Sequence, residues 1–99
     1  MPEEADAPDD LPTFPLRIAE EFTESLASIY SPRLLDHIKG ILALLETTPE
    51  IGSANVRPCL VERYGTGLRK IPVSTFVIVY RFDGSTVDVL ALVYGPRIV

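Results

Sequence analysis

The chain has 99 residues, which is the size of one small domain, and its composition excludes several classes of protein. No apolar run reaches the roughly 18 residues that a membrane-spanning helix needs, and the acidic N-terminus lacks the basic segment of a secretory signal. The single cysteine, Cys59, and the single histidine, His37, exclude an internal disulfide and a Cys/His zinc site. We therefore expect a reducing, cytoplasmic setting, no metal and no cofactor.

The net charge of −5 averages two unlike halves. Residues 1–50 hold eleven acidic and three basic side chains, whereas residues 51–99 hold three acidic and six basic ones. Two interpretations stay open: a solvated acidic tail on a near-neutral domain, or an acidic arm that folds back on a basic working face. The acidic overall charge argues against strong non-specific binding to nucleic acid.

The first half of the chain predicts a leader, a short strand and two helices. Residues 1–15 contain five acids and four prolines, which predicts a flexible leader before a single domain over residues 16–99. The hydrophobic spacing that follows predicts a strand over Leu16–Ala19 and a helix over Glu20–Tyr30.

A second helix is signalled more clearly than the first. Ser31 is a favourable N-cap and Pro32 suits the first helical position. A wide apolar stripe follows, and Pro49 predicts that the helix ends near Thr47.

The second half changes to a period of two. Alternation through Cys59, Val61 and Arg63 is typical of a strand, up to the break at Gly65. The dipeptide Asp83-Gly84 predicts a hairpin. The three strands that the pattern favours beyond Gly65 are Leu68–Val73, Phe76–Phe82 and Val87–Tyr94, the last of them central and buried on both faces.

The element order predicts an α+β fold. Its parts are a short N-terminal strand, a helical hairpin, and then a three- to four-stranded antiparallel sheet with the helices on one face.

Three segments together resemble the RelE/ParE toxin superfamily, and its ParE branch most closely. Residues 16–29 (LRIAEEFTESLASI) are similar to the opening strand and helix of the family. Residues 44–52 (LLETTPEIG) are similar to its L-x-x-x-P-x-x-G helix end, and residues 67–97 resemble its sheet. The resemblance covers residues 16–97.

The resemblance implies a toxin of a type II toxin–antitoxin system, neutralised by a cognate antitoxin that wraps it with helices and a strand. ParE-like members poison DNA gyrase by binding it, whereas RelE-like members cleave mRNA in the ribosomal A site. A third alternative is a non-toxic family member that acts as a binding module. Both a monomer and a homodimer are compatible with the resemblance, and no membrane partner is implied.

The nuclease alternative depends on Lys70 and Arg97 as catalytic residues. Lys70 lies near a strand lysine of RelE-like nucleases, and Arg97, two residues after Gly95, matches their Gly-x-Arg arginine. Where those enzymes carry an arginine in the central strand, this chain has Val77, which cannot stabilise a phosphate charge. The residues therefore favour target binding over catalysis.

Four residues are the candidates for target binding: Arg69, Arg81, Tyr94 and Arg97. Each also has a structural interpretation. Arg69 suits a solvated strand, Arg81 suits a cross-strand pair with Asp88, and Tyr94, like Tyr80, suits packing on the sheet. We interpret His37 as a helix-surface residue and Cys59 as a small buried one.

Overall fold

The computed structural model describes residues 13–95, in which the elements follow in the predicted order except that one predicted strand is a helix. Most of the predicted leader, residues 1–12, lies outside the described residues. The elements are β1 (Leu16–Ile18), α1 (Glu20–Ala27), α2 (Pro32–Leu45), α3 (Pro58–Tyr64), β2 (Leu68–Val73), β3 (Phe76–Phe82) and β4 (Val87–Tyr94).

The strands form one sheet in the order β1-β4-β3-β2, so β4 is central, as predicted. The pairs β2–β3 and β3–β4 are antiparallel, but β1 runs parallel to β4, with Leu16 opposite Val87. The sheet is therefore mixed, where the sequence predicted a purely antiparallel one. Hydrogen bonds from Val87 N to Pro15 O and from Ala19 N to Val89 O, both 2.9 Å long, attach the two ends of β1 to β4.

The helical hairpin α1–α2 covers one face of the sheet. The Ser31 hydroxyl accepts a hydrogen bond from Leu34 N at 3.3 Å and Pro32 begins α2, which confirms both predicted start signals. The hairpin packs on alternate residues of the strands, which share one face because adjacent strand residues point to opposite sides. Its core residues are Phe22, Ile38, Ile41, Leu45, Val73, Ile78, Tyr80, Val87, Val89 and Leu92.

The segment that the sequence predicted as a strand after Asn55 is the helix α3, so that prediction is wrong. Pro58 occupies the first helical turn, where its missing N–H leaves no hydrogen bond unmade. Leu60 is buried on the second face of the sheet, and Val61 and Tyr64 pack around it. Helices consequently lie on both faces, not on one, because Leu68, Val79 and Ala91 form an apolar patch that α3 covers.

None of the helices within residues 13–95 is long and apolar enough to span a membrane.

Candidate functional site

An open cavity of about 200 Å³ lies on the α3 face of the sheet, between α3, β2, β3 and the end of β4. We call it the cation cavity, and its lining residues are Arg57, Leu60, Lys70, Val77 and Gly95. Two positive side chains therefore stand at a recess whose other walls are apolar side chains and backbone.

The sheet register places Lys70 and Val77 in the cavity. Lys70 lies opposite Val79, and Val77 lies opposite Pro72 and Val93, so both point to the α3 face. Lys70 is further fixed by a backbone bridge to Ser53, with N–H···O distances of 2.9 Å in both directions. Lys70 and Val77, the two strand positions compared above with those of RelE-like nucleases, thus line the same recess.

Gly95 forms the end wall of the cavity. Its N–H donates to Thr75 O at 2.6 Å, and a Cβ at this position would lie 2.8 Å from the same oxygen, so the close approach requires glycine. Arg97 follows two residues later and lies outside the described residues. The described chain ends at Gly95.

Sequence reasoning missed Arg57. Its backbone is extended at φ −64° and ψ 146°, and it is the N-cap residue of α3. Pro58 could have indicated the placement of Arg57, because a proline at the first helical position makes the preceding residue the N-cap. Interpreting the segment as a strand hid this placement.

The two cations of the cavity form no ion pair with an acidic side chain of residues 13–95. Within that range the ion pairs are Arg17–Asp88 and Arg63–Glu21, and neither involves Arg57 or Lys70. Cations that are not engaged in ion pairs can bind an external anion, and an arginine beside a lysine suits a carboxylate or phosphate oxygen.

Arg69 and Arg81, two of the predicted target-binding residues, hold backbone carbonyls. Arg69 donates to Gly52 O at 2.8 Å and to Glu50 O at 3.2 Å. Arg81 donates to Tyr64 O at 3.0 Å. The two side chains lie on opposite faces, because Arg69 pairs with Tyr80 in the register and Arg81 is the next residue of β3.

The predicted Arg81–Asp88 ion pair does not form within the described structure. The two residues are cross-strand partners, as predicted, but the Asp88 carboxylate is held by Arg17 at 2.6 and 3.1 Å. Arg17 competes successfully because the parallel register of β1 sets it opposite Asp88 from the other side of β4.

Tyr94 is 43% exposed and its ring stands edge-on to Phe76, with centroids 5.7 Å apart. Tyr80 is fully buried, in agreement with its predicted packing role. The predicted target-binding residues within residues 13–95 therefore do not meet on one surface. Lys70, by contrast, lines the cation cavity together with Gly95.

His37 is exposed on α2, as predicted, whereas Cys59 is exposed on α3 and not buried. The burial prediction for Cys59 rested on the usual burial of free cysteine, whereas at this position of α3 the side chain faces solvent. No group of three or more metal-ligating side chains occurs in the part of the chain that the structure describes.

Glu21 connects α1 with α3 beside the site. Its carboxylate accepts a hydrogen bond from the Tyr64 hydroxyl at 2.5 Å and lies 3.4 Å from the Arg63 guanidinium. Burial, followed by the hydrogen bond and the negative charge of Glu21, raises the pKa of Tyr64 to about 12. The contact holds the hairpin and α3 together around the edge of the sheet.

Comparison with known proteins adds one finding to this geometry. A family model described as "ParE toxin of type II toxin-antitoxin system, parDE" matches residues 16–98. A search of curated proteins finds no significant match.

Proposed function

This chain belongs to the ParE toxin family of type II toxin–antitoxin systems, and from that premise we propose that it arrests growth by binding DNA gyrase, without chemistry of its own. A cognate antitoxin neutralises it by covering the target-binding surface. The setting is cytoplasmic, where both proteins and the target meet.

The observation that carries the proposal is the composition of the cation cavity. Cleavage of RNA by its own 2′-hydroxyl needs groups that accept and donate protons and several cations around the phosphate. The cavity contains Arg57 and Lys70, but Val77 occupies the strand position at which RelE-like nucleases carry an arginine. Cations beside apolar walls favour the binding of an acidic or anionic surface of the target over catalysis.

The contact surface is the cavity end of the sheet. It comprises the cation cavity, with Arg57 and Lys70 as its charged groups; Tyr94 is exposed at the same end of the sheet, but on the hairpin face beside Phe76. Arg69 and Arg81 support this surface indirectly. Arg69 holds the carbonyl of Gly52 in the loop before α3, and Arg81 holds the carbonyl of Tyr64 at the end of α3.

The nuclease alternative keeps one supporting observation. Lys70, one of the two residues matched to nuclease cations, lines the cavity together with Gly95, the glycine of the Gly-x-Arg motif. A ribosome-dependent endoribonuclease is therefore the second candidate, with Lys70 and Arg97 as its cations.

Induction of the gene in a bacterial host, with pulse labels for DNA and protein synthesis, separates the candidates. Gyrase poisoning predicts arrest in which the DNA label falls first, together with inhibition of supercoiling by the purified protein. If the protein label falls first and Arg97→Ala abolishes mRNA cleavage, the nuclease is correct. Undisturbed growth with verified soluble protein would identify a non-toxic binding module.

A further inference from the structure

The cation cavity has two basic lining residues and, among residues 13–95, no acidic one. Arg57 and Lys70 both line it and neither forms an ion pair with a described residue. A guanidinium and an ammonium group bind carboxylates through charge-assisted hydrogen bonds, and Leu60 and Val77 line the rest of the cavity with apolar side chains.

The chain itself supplies acidic side chains in a short segment. Residues 1–12 contain Glu3, Glu4, Asp6, Asp9 and Asp10, and they contain neither lysine nor arginine. The cavity and this segment are therefore complementary in charge.

The segment is tethered within reach of the cavity. Phe14 N donates to Glu46 O at 2.8 Å, and the Phe14 ring packs 4.9 Å from that of Phe82, which places the start of the described chain at one end of β3. Val77 lies five residues along β3 from Phe82, which corresponds to about 17 Å. Phe14 and Phe82 pack on the hairpin face and the cavity lies on the α3 face, so the segment must also pass around the sheet. An extended segment of twelve residues reaches up to about 40 Å.

We propose that the cation cavity is a carboxylate-binding site and that the acidic side chains of residues 1–12 occupy it in cis. Tethering gives these carboxylates an effective concentration in the millimolar range at the cavity. Weak contacts suffice for occupancy at such a concentration, and a target or antitoxin that uses the same cations then competes with the leader. The inference concerns binding alone and does not depend on the identity of the target.

Paramagnetic relaxation in the full-length chain tests the proposal. A nitroxide is attached at Ala5→Cys in a Cys59→Ser background, and amide signals are compared with those of the reduced label. We expect loss of most of the signal at Leu60, Val77 and Gly95. The signals should recover in about 1 M NaCl, where the Debye length is about 3 Å.

Charge-matched variants decide whether the cavity is the site. The double variant Arg57→Gln/Lys70→Gln should restore the signals at Val77 and Gly95, whereas Arg33→Gln/Lys39→Gln on α2 removes the same charge and should not. Unchanged amide dispersion verifies the fold of each variant. Signals that are retained in the parent, a loss that persists without the two cavity cations, or equal recovery in both double variants would each overturn the proposal.

Discussion

Tyr80 and Gly52 fit together so closely that no side chain can stand at position 52. The Gly52 N–H donates to the Tyr80 hydroxyl at 2.9 Å, and that hydroxyl donates to Pro49 O at 2.7 Å. A Cβ on Gly52 would lie 2.6 Å from the hydroxyl oxygen and 2.9 Å from Lys70 O. The pair fixes the loop that follows α2 and, with it, the backbone that bridges to Lys70.

Tyr80→Phe should lower the free energy of unfolding by about 1–3 kcal/mol, because the Gly52 N–H and the Pro49 carbonyl lose a buried partner. Urea denaturation measures the change. The control is Tyr30→Phe, since Tyr30 is 88% exposed and its change should stay within about 0.5 kcal/mol. Equal midpoints for the two variants would contradict the role assigned to the Tyr80 hydroxyl.

Gly52→Ala should destabilise the protein by about 1–3 kcal/mol, because the new methyl group forces either Tyr80 or the β2 backbone to shift. Gly40→Ala is the matched control, and it should change the free energy of unfolding in the opposite direction. Gly40 lies inside α2, where a methyl group would come within 4 Å of no described residue outside the helix's own backbone. Alanine there should therefore stabilise the protein by about 0.5–1 kcal/mol. Thermal unfolding of both variants would show whether the two changes diverge as expected.

The raised pKa of Tyr64 makes stability depend on pH in the alkaline range. The folded protein keeps the phenolic proton up to about pH 12, whereas the unfolded chain releases it near the ordinary value of 10.0. The unfolded state therefore binds fewer protons between these values, so the stabilisation from Tyr64 is complete below about pH 10 and is lost as the pH rises through about 12.

The stability difference between the parent and Tyr64→Phe should accordingly shrink from pH 10 to pH 12. Urea midpoints at several pH values measure it, with Tyr30→Phe as the exposed-tyrosine control. A difference that stays constant with pH would show that the Glu21–Tyr64 contact does not retain the proton.

Lys70→Gln should raise the concentration needed for half-inhibition of gyrase supercoiling by about five- to tenfold, because one charge-assisted contact of about 1–1.4 kcal/mol is lost. Arg33→Gln, on α2 away from the cation cavity, should leave that concentration unchanged. A loss of a hundredfold or more, accompanied by loss of mRNA cleavage, would favour a catalytic role for Lys70.

The strands and the helical hairpin were predictable because local signals and burial agree. Ser31 and Pro32 start α2, and Asp83-Gly84 joins β3 to β4, where the Asp83 carboxylate accepts hydrogen bonds from the amides of Ser85 and Thr86 at 2.8 Å. The helix cap and the turn each form between residues a few positions apart, so local sequence patterns predict them.

The errors concern features that depend on residues distant in sequence. Alternation around Val61 suited a strand, but the apolar patch of β2, β3 and β4 buries Leu60 and so selects a helix. Similarly, the partners of Arg69 and Arg81 are backbone carbonyls on loops and on α3. No local pattern indicates that an arginine will hold a carbonyl seventeen residues away.

The parallel pairing of β1 with β4 also governs when the fold can form. Arg17 and Asp88, which join these strands, are 71 positions apart, and β4 supplies Val87, Val89 and Leu92 to the core beneath the hairpin. A nascent chain that has not yet released β4 from the ribosome lacks the middle of its sheet and much of that core. Contacts of such long range form late and together. The chain should therefore complete its core in one step, only after β4 has been translated.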